Sequence, residues 1–196
     1  MSIKVVRPVP IHQARPATSP LASRPSTLDG KTVGLLFNSK VNADIYLERM
    51  QELLDAKYTG IKFVNRTKPT ATRPTAPALL REVSTCDVVV NAFGDCGSCS
   101  SWSVHDGVAL ERAGVPSISV ISEPFGIKVR LEVESWGVPE LPVQILPHPI
   151  GQLPRERMRA IADDAFDEVV FALTNEASVV ADAYRDAVSP RSTYDV

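Results

Sequence analysis

From Lys31 onward, short aliphatic runs alternate with longer segments whose apolar residues recur every three or four positions. Thr32 to Phe37 reads as a buried strand. A helix follows from about Ala43 to Ala56, with Ala43, Tyr46, Leu47, Met50, Leu53 and Leu54 on one face. Further strands are expected at Ile61 to Val64, Asp87 to Phe93, Ser117 to Ser122 and Val143 to Leu146. Between and after them, helical segments lie near Ala78 to Val83, after Cys99 to about Gly114, and within Phe125 to Trp136. Others run from Pro154 to about Leu173 and through Val179 to Val188. Proline is favoured at a first helical position, so Pro154 marks a start. Strands that alternate with helices in this way build a parallel sheet covered on both faces.

The expected architecture is a three-layer α/β sandwich whose mainly parallel sheet has about five strands in the flavodoxin-like order 2-1-3-4-5. At 196 residues the chain suits one domain. We place that domain at 29–196, after a proline-rich N-terminal arm at 1–28. The arm holds Lys4, Arg7, Arg15 and Arg24, has no acidic residue, and lacks the apolar core of a signal peptide. Its prolines fit a disordered arm or a strap across a neighbouring subunit. A net charge of -2 excludes an electrostatic nucleic-acid binder. No run approaches the roughly 18 apolar residues of a membrane span. Three cysteines, an odd count, argue against a secreted disulfide scaffold and for the cytoplasm.

In open α/β sheets ligands bind at the carboxyl ends of the strands, and here those ends carry polar and reactive side chains. They are Asn38-Ser-Lys40-Val-Asn42, Gly94-Asp-Cys-Gly-Ser-Cys99, Glu123-Pro-Phe125 and Pro147-His148-Pro149. Cys96 and Cys99 stand where a strand becomes a helix. Unpaired amides and the macrodipole at a helix N-terminus favour a thiolate there. Cys96 is therefore the candidate nucleophile and Cys99 the resolving or assisting thiol. Gly94 and Gly97 permit the tight turn, and Ser98 or Ser100 can cap the helix. The alternatives are an inert pair or part of a metal site. Zinc would need two further ligands, and only Cys86, His12, His105 and His148 remain.

His148, held between two prolines, is a candidate general acid or base. His105 lies on the helix face expected to pack toward the sheet, either as a hydrogen-bonded core residue or as a proton shuttle. Asp106 could fix a histidine tautomer or simply be solvated. Lys40 is a candidate anchor for an anion or carboxylate, and Asn38 would grip the same polar end of a substrate. Asn42 joins them or acts as an ordinary N-cap. Ser98, Asp106 and Glu123 complete the substrate-facing set, Glu123 with a surface role as its alternative. No GxGxxG fingerprint or Walker loop is present, so no cofactor is implied.

The stretch from Gly94 to Asp106, Gly-Asp-Cys-Gly-Ser-Cys-Ser-Ser-Trp-Ser-Val-His-Asp, resembles the signature of the UGSC family of (seleno)proteins. That family is named for selenocysteine-Gly-Ser-Cys, and Cys96 stands at the selenocysteine position. Asn38-x-Lys40-x-Asn42 and Pro147-His148-Pro149 also look like that family's. The resemblance covers about Lys31 to Leu173 and leaves the N-terminal arm outside. Around its selenocysteine the family is similar to the substrate-reducing B component of glycine reductase. The resemblance implies a thiol that attacks a small molecule while a neighbouring cysteine completes a redox step. Such a protein would be a thiol-dependent oxidoreductase. Covalent cysteine catalysis without redox, by a hydrolase, hydratase or lyase, is one alternative. The other is a non-catalytic subunit that binds a ligand or metal. The expected partners are a small-molecule substrate and either a second copy of the chain or a partner subunit, with neither nucleic acid nor membrane.

Overall fold

The computed structural model describes residues 18–185. Five strands form one sheet: β1 (Thr32–Phe37), β2 (Lys62–Thr67), β3 (Val88–Gly94), β4 (Ser117–Ser122) and β5 (Val143–Leu146). Every pairing is parallel and the order is β2-β1-β3-β4-β5, the flavodoxin-like arrangement. The helices are α1 (Ala43–Lys57), α2 (Pro77–Val83), α3 (Gly97–Arg112), α4 (Gly126–Ser135), α5 (Arg155–Thr174) and α6 (Ala177–Tyr184). A single 3-10 turn, Glu123–Phe125, leads into α4. Residues 186–188 of the expected last helix lie outside the described residues. Pro154 sits one position earlier than expected, at the N-cap of α5.

The sequence pattern explains the layering. β3 and β4 are buried at every position, as central strands covered on both faces must be. The edge strand β2 keeps no fully buried residue. Right-handed crossovers put α1 and α5 on one face and α2, α3 and α4 on the other. α1 and α5 pack together through Tyr46, Leu47, Met50 and Leu54 against Met158, Ile161, Ala162 and Val169. Each such fully buried aliphatic side chain contributes about 1.5–3 kcal/mol.

The helix that carries the cysteines is seated by small and polar residues. A Cβ added to Gly107 would lie 2.7 Å from Ser119 Oγ, so glycine lets α3 approach β4 closely. The Ser103 carbonyl accepts from Asn91 Nδ2 at 2.7 Å and from Ser119 Oγ at 3.2 Å. These bonds pin the helix to β3 and β4.

Residues 1–17 of the expected arm lie outside the described residues, whereas 18–28 pack onto the domain. Leu21, Ala22 and Leu28 are buried. Arg24 and Glu111 form an ion pair at 2.8 Å with both side chains fully buried. Among the described residues no helix is long and apolar enough to cross a membrane. No group of three or more His, Cys, Asp or Glu residues there could hold a metal ion.

Candidate functional site

At the carboxyl end of β3 the chain must turn into α3 with almost no room. A Cβ on Gly94 would fall 2.5 Å from Ser100 Cα and 2.8 Å from Ile121 Cδ1, so only glycine fits. Cys96 follows in an extended conformation at the N-cap of α3. The expected serine cap is absent, because no side chain makes a cap hydrogen bond there. Ser100 Oγ instead donates back to the Cys96 carbonyl at 2.8 Å. Ser98 is exposed, with its hydroxyl 3.8 Å from Cys96 Sγ.

The thiols of Cys96 and Cys99 are free and lie 2.6 Å apart, Cys96 half-buried and Cys99 buried. Their acidities are driven in opposite directions. Burial pushes the Cys96 thiol up, but hydrogen bonding from the Cys99 thiol and amide, the Ser98 hydroxyl and the Lys40 charge outweigh it. The net effect is a Cys96 pKa below that of an ordinary cysteine. Cys99 is pushed up to about 11, first by burial and then by its hydrogen bond to Cys96 and the charge there. The two sulfurs thus differ in acidity, with Cys96 the more readily ionised. Cys86 is buried against Leu36, Val83 and Val89, and burial raises its pKa.

Lys40 occupies the loop after β1, half-buried, between Ser39 and Asn42, which both have left-handed backbone angles. Its charge lowers the pKa of both thiols. It forms no ion pair among the described residues. The two asparagines of the same loop, Asn38 and Asn42, bond to the scaffold. Asn38 is fully buried and donates to the Phe93 carbonyl at 2.7 Å and to Ser103 Oγ at 3.3 Å. Asn42 Nδ2 donates to the carbonyls of Ile150 and Leu153, each at 2.9 Å, and its side chain does not cap α1. Irregular loop backbone needs such partners, and these two amides supply them.

His148 arrives from the loop after β5. Its Nδ1 lies 2.9 Å from Asp95 Oδ1 and 3.1 Å from Ser122 Oγ, and its ring meets the edge of Phe125. Asp95, the residue before Cys96, was not among the expected site residues. Its second oxygen accepts from the Gly151 amide at 3.1 Å. The signal available in the sequence was only its place beside the cysteine, since its partner is 53 positions away.

His105 and Asp106 fall elsewhere. His105 is about 13 Å further along the axis of α3 than Cys96. It does not face the sheet: its ring stands between Trp102 and Trp136, with centroids 5.4 Å from each, and its side chain is 41% exposed. Ser100, Ser103 and Gly107 take the sheet-facing side that apolar counting assigned to it. Asp106 is not solvated, and protein partners occupy its carboxylate. It is buried in an ion pair with Lys68 and accepts from the amide and hydroxyl of Thr75 at 2.8 and 2.7 Å. Burial raises its pKa, but the His105 ring beside it, 3.7 Å away, and the Lys68 charge bring it below the ordinary value. It therefore ties the loop before α2 to α3. Glu123 is half-buried at the end of β4, and its carboxylate forms no hydrogen bond or ion pair among the described residues.

The structure thus gathers the Cys96–Cys99 turn, Lys40 and the Asp95–His148 pair at one edge of the sheet. No curated protein matches the chain. The profile of the UGSC family matches residues 4–175, which takes in much of the N-terminal segment that the motifs alone had left outside. With that match over most of its length, and the Cys-Gly-Ser-Cys turn at the head of α3, the chain belongs to the UGSC family.

Proposed function

We propose that the protein is a cysteine-dependent enzyme that reduces a small molecule, with Cys96 as nucleophile and Cys99 as resolving thiol. The observation that carries this reading is the opposed acidity of two touching thiols at a helix N-terminus. The Cys96 thiolate forms a bond to an electrophilic atom of the substrate, and the leaving group departs with the electron pair of the broken bond. Cys99 then attacks the Cys96 sulfur. A disulfide forms, and the substrate fragment leaves with two electrons and takes up a proton. A dithiol reductant of the kind held in a reducing compartment returns both cysteines to the thiol state. The Asp95–His148 pair favours one other reading, in which activated water hydrolyses the Cys96 adduct and no disulfide forms.

Two measurements on the reduced full-length chain test the proposal. Iodoacetamide, applied from about pH 6 to about pH 9, should label Cys96 well before Cys99 or Cys86. Bis(2-hydroxyethyl) disulfide should consume two thiols per chain and leave a Cys96–Cys99 disulfide, whereas Cys99→Ser should stop at a mixed disulfide on Cys96. Equal labelling of all three cysteines, or a mixed disulfide on Cys86, would sink the proposal. Consumption of a single thiol in the unaltered chain would favour the hydrolytic reading.

A further inference from the structure

We propose that Asp95 and His148 are a proton-transfer pair: Asp95 holds the imidazole through Nδ1, and Nε2 protonates the atom expelled when Cys96 attacks. The inference rests on the reading of Cys96 as nucleophile.

The geometry is specific about which nitrogen does what. An ionised carboxylate can only accept, so the 2.9 Å contact to Asp95 Oδ1 puts a hydrogen on Nδ1. Ser122 Oγ, 3.1 Å away, flanks the same nitrogen. Asp95 itself is only 10% exposed, and the Gly151 amide holds its other oxygen. The carboxylate therefore cannot swing away, and it fixes the ring's tautomer. Nε2 makes no hydrogen bond among the described residues, while the His148 side chain is 35% exposed. The ring is thus anchored on one side and open on the other, at the sheet edge where Cys96 follows Asp95 in the chain.

The step balances as follows. The Cys96 thiolate pair becomes the new bond to the substrate. The pair of the bond that breaks goes to the leaving atom, which takes the proton from Nε2 of the imidazolium. His148 is left neutral with Nδ1–H still donated to Asp95, and solvent restores the proton. A leaving group that is already a weak base gains nothing from this. The pair therefore selects small electrophiles whose leaving atom is a strongly basic oxygen, nitrogen or sulfur, and Asp95 acts as the positioning residue.

Two probes with different leaving groups test this on the reduced full-length chain. Bis(2-hydroxyethyl) disulfide expels a basic alkylthiolate, and iodoacetamide expels iodide, which needs no proton. His148→Gln should slow the disulfide reaction at Cys96 about a hundredfold. Iodoacetamide labelling should stay within about twofold, which also reports that the fold is intact. Asp95→Ala should slow the disulfide reaction about tenfold. Nitrogen NMR of the imidazole, taken at a pH where the ring is neutral, should find the Nδ1–H tautomer in the unaltered protein and lose it in Asp95→Ala. Equal slowing of both probes by His148→Gln, no slowing of either, or an Nε2–H tautomer in the unaltered protein would overturn the pair. Failure of iodoacetamide to label Cys96 first would instead overturn the reading of Cys96 on which it rests.

Discussion

At the C-terminal end of α3, Glu111 has both oxygens occupied. It accepts from Arg24, from the Ala22 and Ser117 amides and from Ser117 Oγ, all out of contact with solvent. At the other end of the same helix, about 22 Å away, Cys96 is half open, Lys40 has no counter-ion among the described residues, and His148 keeps Nε2 free. Two lysines repeat the contrast. Lys68, after β2, is buried against Asp106, while Lys40, after β1, is unpaired. Groups with filled valences hold the fold together; groups with one valence left open are available to a ligand.

The largest expected effect probes the closed end. Glu111→Ala leaves Arg24 charged and unpaired in the interior and orphans two amides, so unfolding free energy should fall by about 3–5 kcal/mol. Urea titration measures it, and a loss below about 1 kcal/mol would erase the distinction between the ends. Gly94→Ala tests whether close packing positions the open end. The added carbon meets Ser100 Cα at 2.5 Å, so α3 must shift. Stability should drop by about 1–3 kcal/mol, and iodoacetamide should label Cys96 more slowly in the folded protein. A variant as stable and as reactive as the original would show that the turn has slack.

The smallest effect concerns charge alone. Thiolate is the form that reacts, so a lowered Cys96 pKa lets labelling begin at lower pH than for an ordinary thiol. Cys99, pushed up to about 11, stays protonated across that range. Lys40→Met removes one of the influences that lower Cys96, and the labelling profile should move to higher pH. At neutral pH the rate should fall about twofold, with no change in the urea midpoint. An unmoved profile would mean Lys40 does not act on the thiol.

The strands were legible because β-branched runs in a parallel sheet are nearly continuous, as in Val88–Val90 and Ser117–Ser122. The Cys96–Cys99 turn was legible because its spacing is local. Asn38 and Asn42 were not, because a polar residue at a strand end can serve either a ligand or the neighbouring loop's carbonyls. The choice depends on Phe93, Ile150 and Leu153, which are remote in sequence. Asp95 was hidden for the same reason. His105 was misplaced because the buried side of α3 mixes Ser100, Ser103 and Gly107 with Val104 and Leu110, so counting apolar residues alone did not mark it.

Three side chains clip the loops of the open edge to one another. Asn38 joins the β1 loop to the end of β3, Asn42 joins it to the β5 loop, and Asp95 joins the β3 loop to the β5 loop. The links close a triangle, so no loop can swing out without breaking bonds to both others. The ordering entropy of these loops is lost when the chain folds, not when substrate arrives. Entry therefore meets no slow opening step, and the observed rate of the first encounter should rise linearly with substrate concentration without reaching a plateau.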